Sequence, residues 1–177
     1  DMARSAAGVM ARARRRVLPL DALLLARGAV DAGALAAAHA AQRGLDTPLG
    51  DILLAHGAVT EAELLSAQAE AHGIGIADLS RQPLDPRLAP CLSAEDALHL
   101  DAVPVGRAGR IVIVATPRPD RADAILAALN LPPDHRAALT IAPRAAVTTA
   151  QIALYGERMA RLAEGQAPQG VSCRGWR

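Results

Sequence analysis

Five histidines, two cysteines and eighteen carboxylates are the side chains of this sequence that could do chemistry. His39, His56, His72, His99 and His135 fall in no H-x-x-x-H or H-E-x-x-H pattern, so the spacing that sets two imidazoles on one helix face for a metal is missing. His56 and His72 each precede a glycine, which puts them at helix ends, where partial positive charge suits the helix dipole. Carboxylates stand singly or beside arginine, as in Asp120–Arg121 and Glu157–Arg158, and no Ser, His and Asp fall in an order that suggests nucleophilic catalysis. The chain has no lysine, which a P-loop needs to reach its phosphates. The Gly-Ile-Gly at 73–75 lacks the third glycine of a dinucleotide fingerprint and follows a helical pattern instead of a strand. Cys91 and Cys173 make neither a metal motif nor a disulfide framework. The expectation is no catalytic residue, no metal and no cofactor in this chain.

Composition narrows the setting. Apolar residues make up 51% of the 177, enough to bury a core, but aromatics are only 1%, so that core must be Leu, Ile, Val and Ala. The formal net charge of +1 argues against a nucleic-acid polymer as partner, because such binders concentrate positive charge. The one basic cluster, Arg12, Arg14, Arg15 and Arg16, lies in an Ala/Gly/Ser-rich tail over residues 1–18. It reads as a solvated, flexible arm, with contact to a membrane surface or polyphosphate as the alternative. No run approaches 18 apolar residues, so no transmembrane segment is expected, and no signal peptide is evident. A reducing cytoplasm is the simplest setting for the two cysteines. The first residue is Asp, and the chain reads as a piece of a longer protein.

The elements begin with a repeat. PLDALLLARGAV at 19–30 returns as PLGDILLAHGAV at 48–59, an offset of 29, and 11 of the 24 positions in 19–42 and 48–71 are identical. Such duplication implies two copies of one supersecondary unit. Each reads as helix–turn–helix. Leu20, Leu23, Leu24 and Arg27 follow helical spacing, and Gly28 and Gly57 sit where a left-handed residue ends a helix. Asp31 caps the next helix of the first copy, which runs to about Arg43 and stops at Gly44. Thr60–Glu63 spells a capping box for the second, which runs to His72 and closes at Gly73. These helices are too short to stand alone, so a four-helix unit over 19–73 is expected.

The remainder, 74–165, reads as a small α/β subdomain. Ile74–Leu79 is a short apolar run. Asp85–Leu92 and Ser93–His99 are helical turns, with Pro86 at N1. Ala102–Val105 and Arg110–Ala115 are strand-like, with Gly106–Gly109 as hairpin loop. Pro119–Asn130 is a helix, Leu139–Ala142 a strand and Ala145–Glu164 a closing helix. The fold class is α+β: four short helices, then a layer with a three- or four-stranded sheet. Residues 166–177 have linker composition and end in an Arg/Trp cluster.

The repeat resembles a known pattern, R-L-G-x-x-[LVI]-[LVI]-x-x-G-[LVI]-[LVI]-x-x-x-x-L-x-x-x-L-x-x-Q, found in tandem in the N-terminal domain of type II secretion and pilus assembly ATPases (the GspE N-terminal, or MshEN-like, domain). It also occurs on some bacterial family 2 glycosyltransferases. The resemblance covers about residues 19–155. It implies a non-catalytic regulatory or docking module, and cyclic di-GMP as a ligand in some members. The positions it assigns to that ligand are Leu20, Leu24, Gly28 and Gln42 in the first copy and Leu49, Gly50, Leu53 and Gly57 in the second. Arg16 and Arg43 are close enough in sequence to supply positive charge. The chain departs from the pattern at Pro19 and Pro48 (for Arg), Asp21 (for Gly), Ala71 (for Gln), and His39 and Gln68 (for Leu). The tail SCRGWR resembles the junction that follows such modules on family 2 glycosyltransferases, and that resemblance implies a glycosyltransferase as the attached enzyme. The alternative is a protein–protein adaptor of a secretion or pilus ATPase, with no small ligand, docking a membrane-assembly protein. Either places the chain in a bacterial cytoplasm, at the inner membrane through its parent.

Overall fold

The computed structural model describes residues 18–81 and 83–163. Arg16, Cys173, the linker at 166–177 and all but the last residue of the basic arm at 1–18 lie outside the described residues. The chain divides into two compact units that part between Ile74 and Gly75.

The first unit holds α1 (Leu20–Ala26), α2 (Ala32–Gln42), α3 (Leu49–Ala55) and α4 (Glu61–His72). The sequence repeat becomes a structural repeat at the level of single hydrogen bonds. Gly28 and Gly57 both have φ of +67°, a region where a Cβ is strained. The Gly28 N–H donates to the Leu25 carbonyl and the Ala29 N–H to that of Leu24; Gly57 and Ala58 do the same to Leu54 and Leu53. This double bond pattern satisfies the last carbonyls of each helix and turns the chain back. The following helices start on side-chain caps. Asp31 accepts from the Ala34 N–H at 2.7 Å. Thr60 accepts from Glu63, whose carboxylate returns to the Thr60 N–H at 2.9 Å. Leu24 and Leu53, each fully buried, centre an aliphatic core with Val30, Ile52, Val59 and Leu64. The packing is crosswise: α1 lies on α4 and α2 on α3, so the first helix of each copy rests on the second helix of the other. Neither copy can bury its leucines by itself.

The second unit carries β1 (Gly75–Ile76), a 3₁₀ turn (Pro86–Cys91), α5 (Ala94–Leu100), β2 (Val103–Ala108), β3 (Ile111–Thr116), α6 (Ala122–Ala128), β4 (Arg136–Ile141) and α7 (Arg144–Ala163). The sheet has four strands in the order β1-β4-β3-β2, parallel except for the β2–β3 hairpin. The α+β expectation is met, with several element bounds corrected. The hairpin is tighter than Gly106–Gly109: β2 continues to Ala108, a register shift between Pro104 and Gly106 takes up the proline, and only Gly109 and Arg110 turn the chain. Proline and two glycines masked the second half of that strand. β4 begins at Arg136, not Leu139, because pairing with β3 from Ile111 onward supplies a ladder that the local sequence does not announce. Of Ile74–Leu79, only Gly75–Ile76 is extended; it joins the sheet by pairing with Thr140 and Ile141. The helix expected over Pro119–Asn130 opens as a 3₁₀ turn, Pro119–Arg121, and ends at Ala128.

α7 packs on β2, β3, α5 and the 3₁₀ turn. Its buried face is Val147, Ala150, Gln151 and Tyr155, one stripe at helical spacing. The two polar members are satisfied, as burial demands. Gln151 Nε2 donates to the Ala97 and Ala102 carbonyls at 2.6 and 3.2 Å, and the Tyr155 hydroxyl to the Leu92 carbonyl at 2.9 Å.

Candidate functional site

The residues that the resemblance assigns to a ligand all lie in the helical unit or before it, and they fall into three environments. Leu24 and Leu53 have no exposed surface; they are core, and a ligand would have to unpack them to touch them. Leu20 and Leu49 are half-buried against that core. Gly28 and Gly57 are exposed turn residues. Gly50 is buried: a Cβ there would stand 2.8 Å from Leu64 Cδ1 and 3.3 Å from Gln68 Nε2, so α3 and α4 approach closely at this point and a side chain would have to displace the ends of those two. Gln42, half-buried, donates from Nε2 to the Thr47 carbonyl at 3.0 Å and so braces the link between the copies. Arg43 is exposed just past α2. Arg16 lies outside the described residues.

The departures from the pattern have definite contacts. Pro19 and Pro48 occupy the residue before α1 and α3; neither has a side-chain donor. Asp21 Oδ1 accepts from the Ala22 N–H at 2.8 Å, and its Oδ2 stands 3.6 Å from His39 Nε2. Arg27 reaches from the end of α1 to α4, donating to Ser66 Oγ at 3.1 Å and to the Glu70 carboxylate. This bridge ties the two copies together, and it was missed from sequence because Arg27 and Glu70 are 43 positions apart. A second feature was legible there and overlooked. Residues 18–74 hold two arginines against seven carboxylates, a formal balance of −5, although the whole chain is +1. Among those carboxylates, Glu63 is held below the ordinary glutamate range by the Thr60 N–H, then by the Thr60 hydroxyl.

The second unit also uses its charged groups internally. Arg118, after β3, bonds the Asp120 carboxylate at 2.9 and 3.0 Å. Burial works to raise the Asp120 carboxyl, but the Arg118 bonds prevail and lower it. Arg121 donates to the His99 carbonyl and Arg144 to Asp101, fixing the turn that precedes β2. Among the described residues no three of His, Cys, Asp and Glu converge as a metal site. No helix among them is long and apolar enough to cross a membrane.

A duplicated, crosswise-packed helical unit joined to a four-stranded mixed layer defines a class of two-part α+β modules. The family model for the MshEN domain matches residues 72–161, half of the chain. A structure of MshE with cdg (cyclic di-GMP) is 30% identical, covering 78% of this chain and 99% of that one with a TM-score of 0.68. The N-terminal domain of XpsE shares the fold at 20% identity and a TM-score of 0.61, over 75% of this chain and 90% of that one. No curated protein sequence matches. The chain belongs to the MshEN domain family. The family-model match begins at His72, so the duplicated repeat, with its two prolines and Asp21, lies before it.

Proposed function

We propose that this chain is a non-catalytic regulatory and docking module that acts through protein contact, attached to a secretion or pilus assembly ATPase. The likeness to MshE and to the N-terminal domain of XpsE supports an ATPase parent; neither likeness points to a glycosyltransferase. The observation that carries the docking role is how the helical unit uses its side chains. Leu24 and Leu53 are core, Arg27 is engaged across the copies, and residues 18–74 carry a formal balance of −5 with Leu25 and Leu54 exposed among them, a mixed acidic and apolar surface that suits a protein partner more than a dianion. A dinucleotide-sensing role is the second reading, favoured by the cyclic di-GMP in the MshE structure.

The test compares the full parent protein with one lacking residues 18–163. The docking reading expects the remaining catalytic half to keep its basal turnover and to lose capture of its assembly partner. Loss of the chemistry itself on that deletion, or turnover by the isolated chain, would refute it.

A further inference from the structure

The turn between α5 and β2 holds a strained backbone position. Asp101 has φ of +52° and ψ of +50°, and among the described residues it is the only non-glycine with positive φ. A Cβ in that region crowds the carbonyl that follows it, so the conformation persists only where its surroundings impose it.

What imposes it is α7, which packs on both α5 and β2. Gln151 is 3% exposed and lies in the buried stripe of that helix. Its Nε2 donates to the Ala97 carbonyl at 2.6 Å, in the last turn of α5, and to the Ala102 carbonyl at 3.2 Å, on the far side of Asp101. One amide therefore brackets the strained residue. The Ala97 carbonyl also takes the Asp101 and Ala102 N–H groups, so three donors meet at one oxygen. A second hold is at the surface, where Arg144, the first residue of α7, donates to the Asp101 carboxylate at 2.9 Å. Solvent screening makes that pair the weaker of the two. An apolar side chain at 151 would fill the stripe with no buried amide to satisfy, so packing alone does not call for glutamine.

We infer that α7 is a latch on the α5–β2 turn. With α7 seated, Asp101 is held left-handed and the fully buried Ala102 leads directly into β2 at Val103. With α7 displaced, the turn loses both holds, Asp101 relaxes, and the first residues of β2 move with it. The turn and the seat of α7 form one two-state element, and because β2 is an edge strand, a partner that shifts α7 is felt at the edge of the sheet. This concerns the second unit alone and stands apart from the docking reading.

The test is amide hydrogen exchange on the whole 177-residue chain. Gln151→Met keeps most of the bulk and removes the donor. The Asp101 and Ala102 amides are expected to exchange about tenfold faster, as for the loss of one or two hydrogen bonds, while those of Val112 and Val114 in β3 keep their rates. Adding Asp101→Gly should bring Ala102 back to within about threefold of the unaltered chain, because glycine holds a positive φ without help. Equal acceleration of every amide would make Gln151 a packing residue only and overturn the latch. Unchanged exchange at Ala102, or no recovery on adding Asp101→Gly, overturns it too. Should Gln151→Met not fold, Arg144→Met removes the outer hold alone and is expected to speed the same two amides about threefold. Unchanged rates in that variant would then sink the inference.

Discussion

The two copies of the repeat share a skeleton and differ in how each is used. The buried Leu24 and Leu53, the left-handed Gly28 and Gly57, and the two hydrogen bonds that close each turn correspond residue for residue at the offset of 29. Their polar positions do not. Asp21 of the first copy corresponds to Gly50, which lies buried under Leu64 and Gln68. Arg27 corresponds to His56, while its partners Ser66 and Glu70 correspond to Ala37 and Ala41, so the ionic bridge exists on one side of the unit alone. α4 buries Leu64, Ala67, Gln68, Ala69 and Ala71, whereas α2 buries only Ala38 and leaves Ala36, Ala37, Ala40 and Ala41 exposed. Duplication thus supplied a fold whose hydrophobic contacts must be kept in both copies. The polar contacts were free to diverge, making α4 the inner helix and α2 the outer one.

The largest effect expected is the one that the copies share. Leu24→Ala and Leu53→Ala should each cost about 2–5 kcal/mol in chemical denaturation, with similar values, because both side chains are fully buried in the same core. A difference of more than about 2 kcal/mol between them would show that the core belongs mainly to one copy. The next test separates them. Gly50→Asp, which writes the first copy's residue into the second, forces a carboxylate against Leu64 and should cost about 2–4 kcal/mol. The reverse change, Asp21→Gly, removes a half-exposed contact to His39 and should stay within about 1 kcal/mol. Equal costs would mean that the tight approach at Gly50 is not special to the second copy.

Smaller effects distinguish the caps. Thr60→Ala breaks a reciprocal pair at the start of α4 and should cost about 1 kcal/mol in thermal unfolding. The same cap makes a prediction about acid. The folded-state pKa of Glu63 is depressed, so its contribution is present above the ordinary glutamate value of 4.5 and is lost as pH falls through the folded value. Glu63→Gln should therefore flatten the loss of stability on acidification without changing its direction at neutral pH. An unchanged acid melt would place the acid-sensitive groups elsewhere.

Much of this organisation could be read along the chain, because the signals involved are local. The glycine-ended helices, the Asp31 and Thr60 caps, the Asp85–Pro86 opening and the strand expected over Arg110–Ala115 and found over Ile111–Thr116 depend on residues at most a few positions apart, and each was placed to within a residue or two. The errors fell where pairing partners are distant. Arg136–Ala138 become strand only because β3 runs beside them, and β1 exists only through Thr140 and Ile141. The candidate site was legible as a list of positions but not as surfaces. A leucine in a motif looks the same in sequence whether it faces a ligand or, like Leu24, the core.

By itself, then, the sequence determined two helical hairpins, their ends and caps, and a mixed layer after them, since hydrogen bonds of short range and hydrophobic periodicity specify these without reference to the rest of the chain. Only tertiary structure decided that the hairpins pack across each other, that Gly50 is filled and Asp21 is not, and that Arg27 joins residues 39 and 43 positions away. Burial and charge pairing are properties of what lies opposite in space, and the chain's order does not record that.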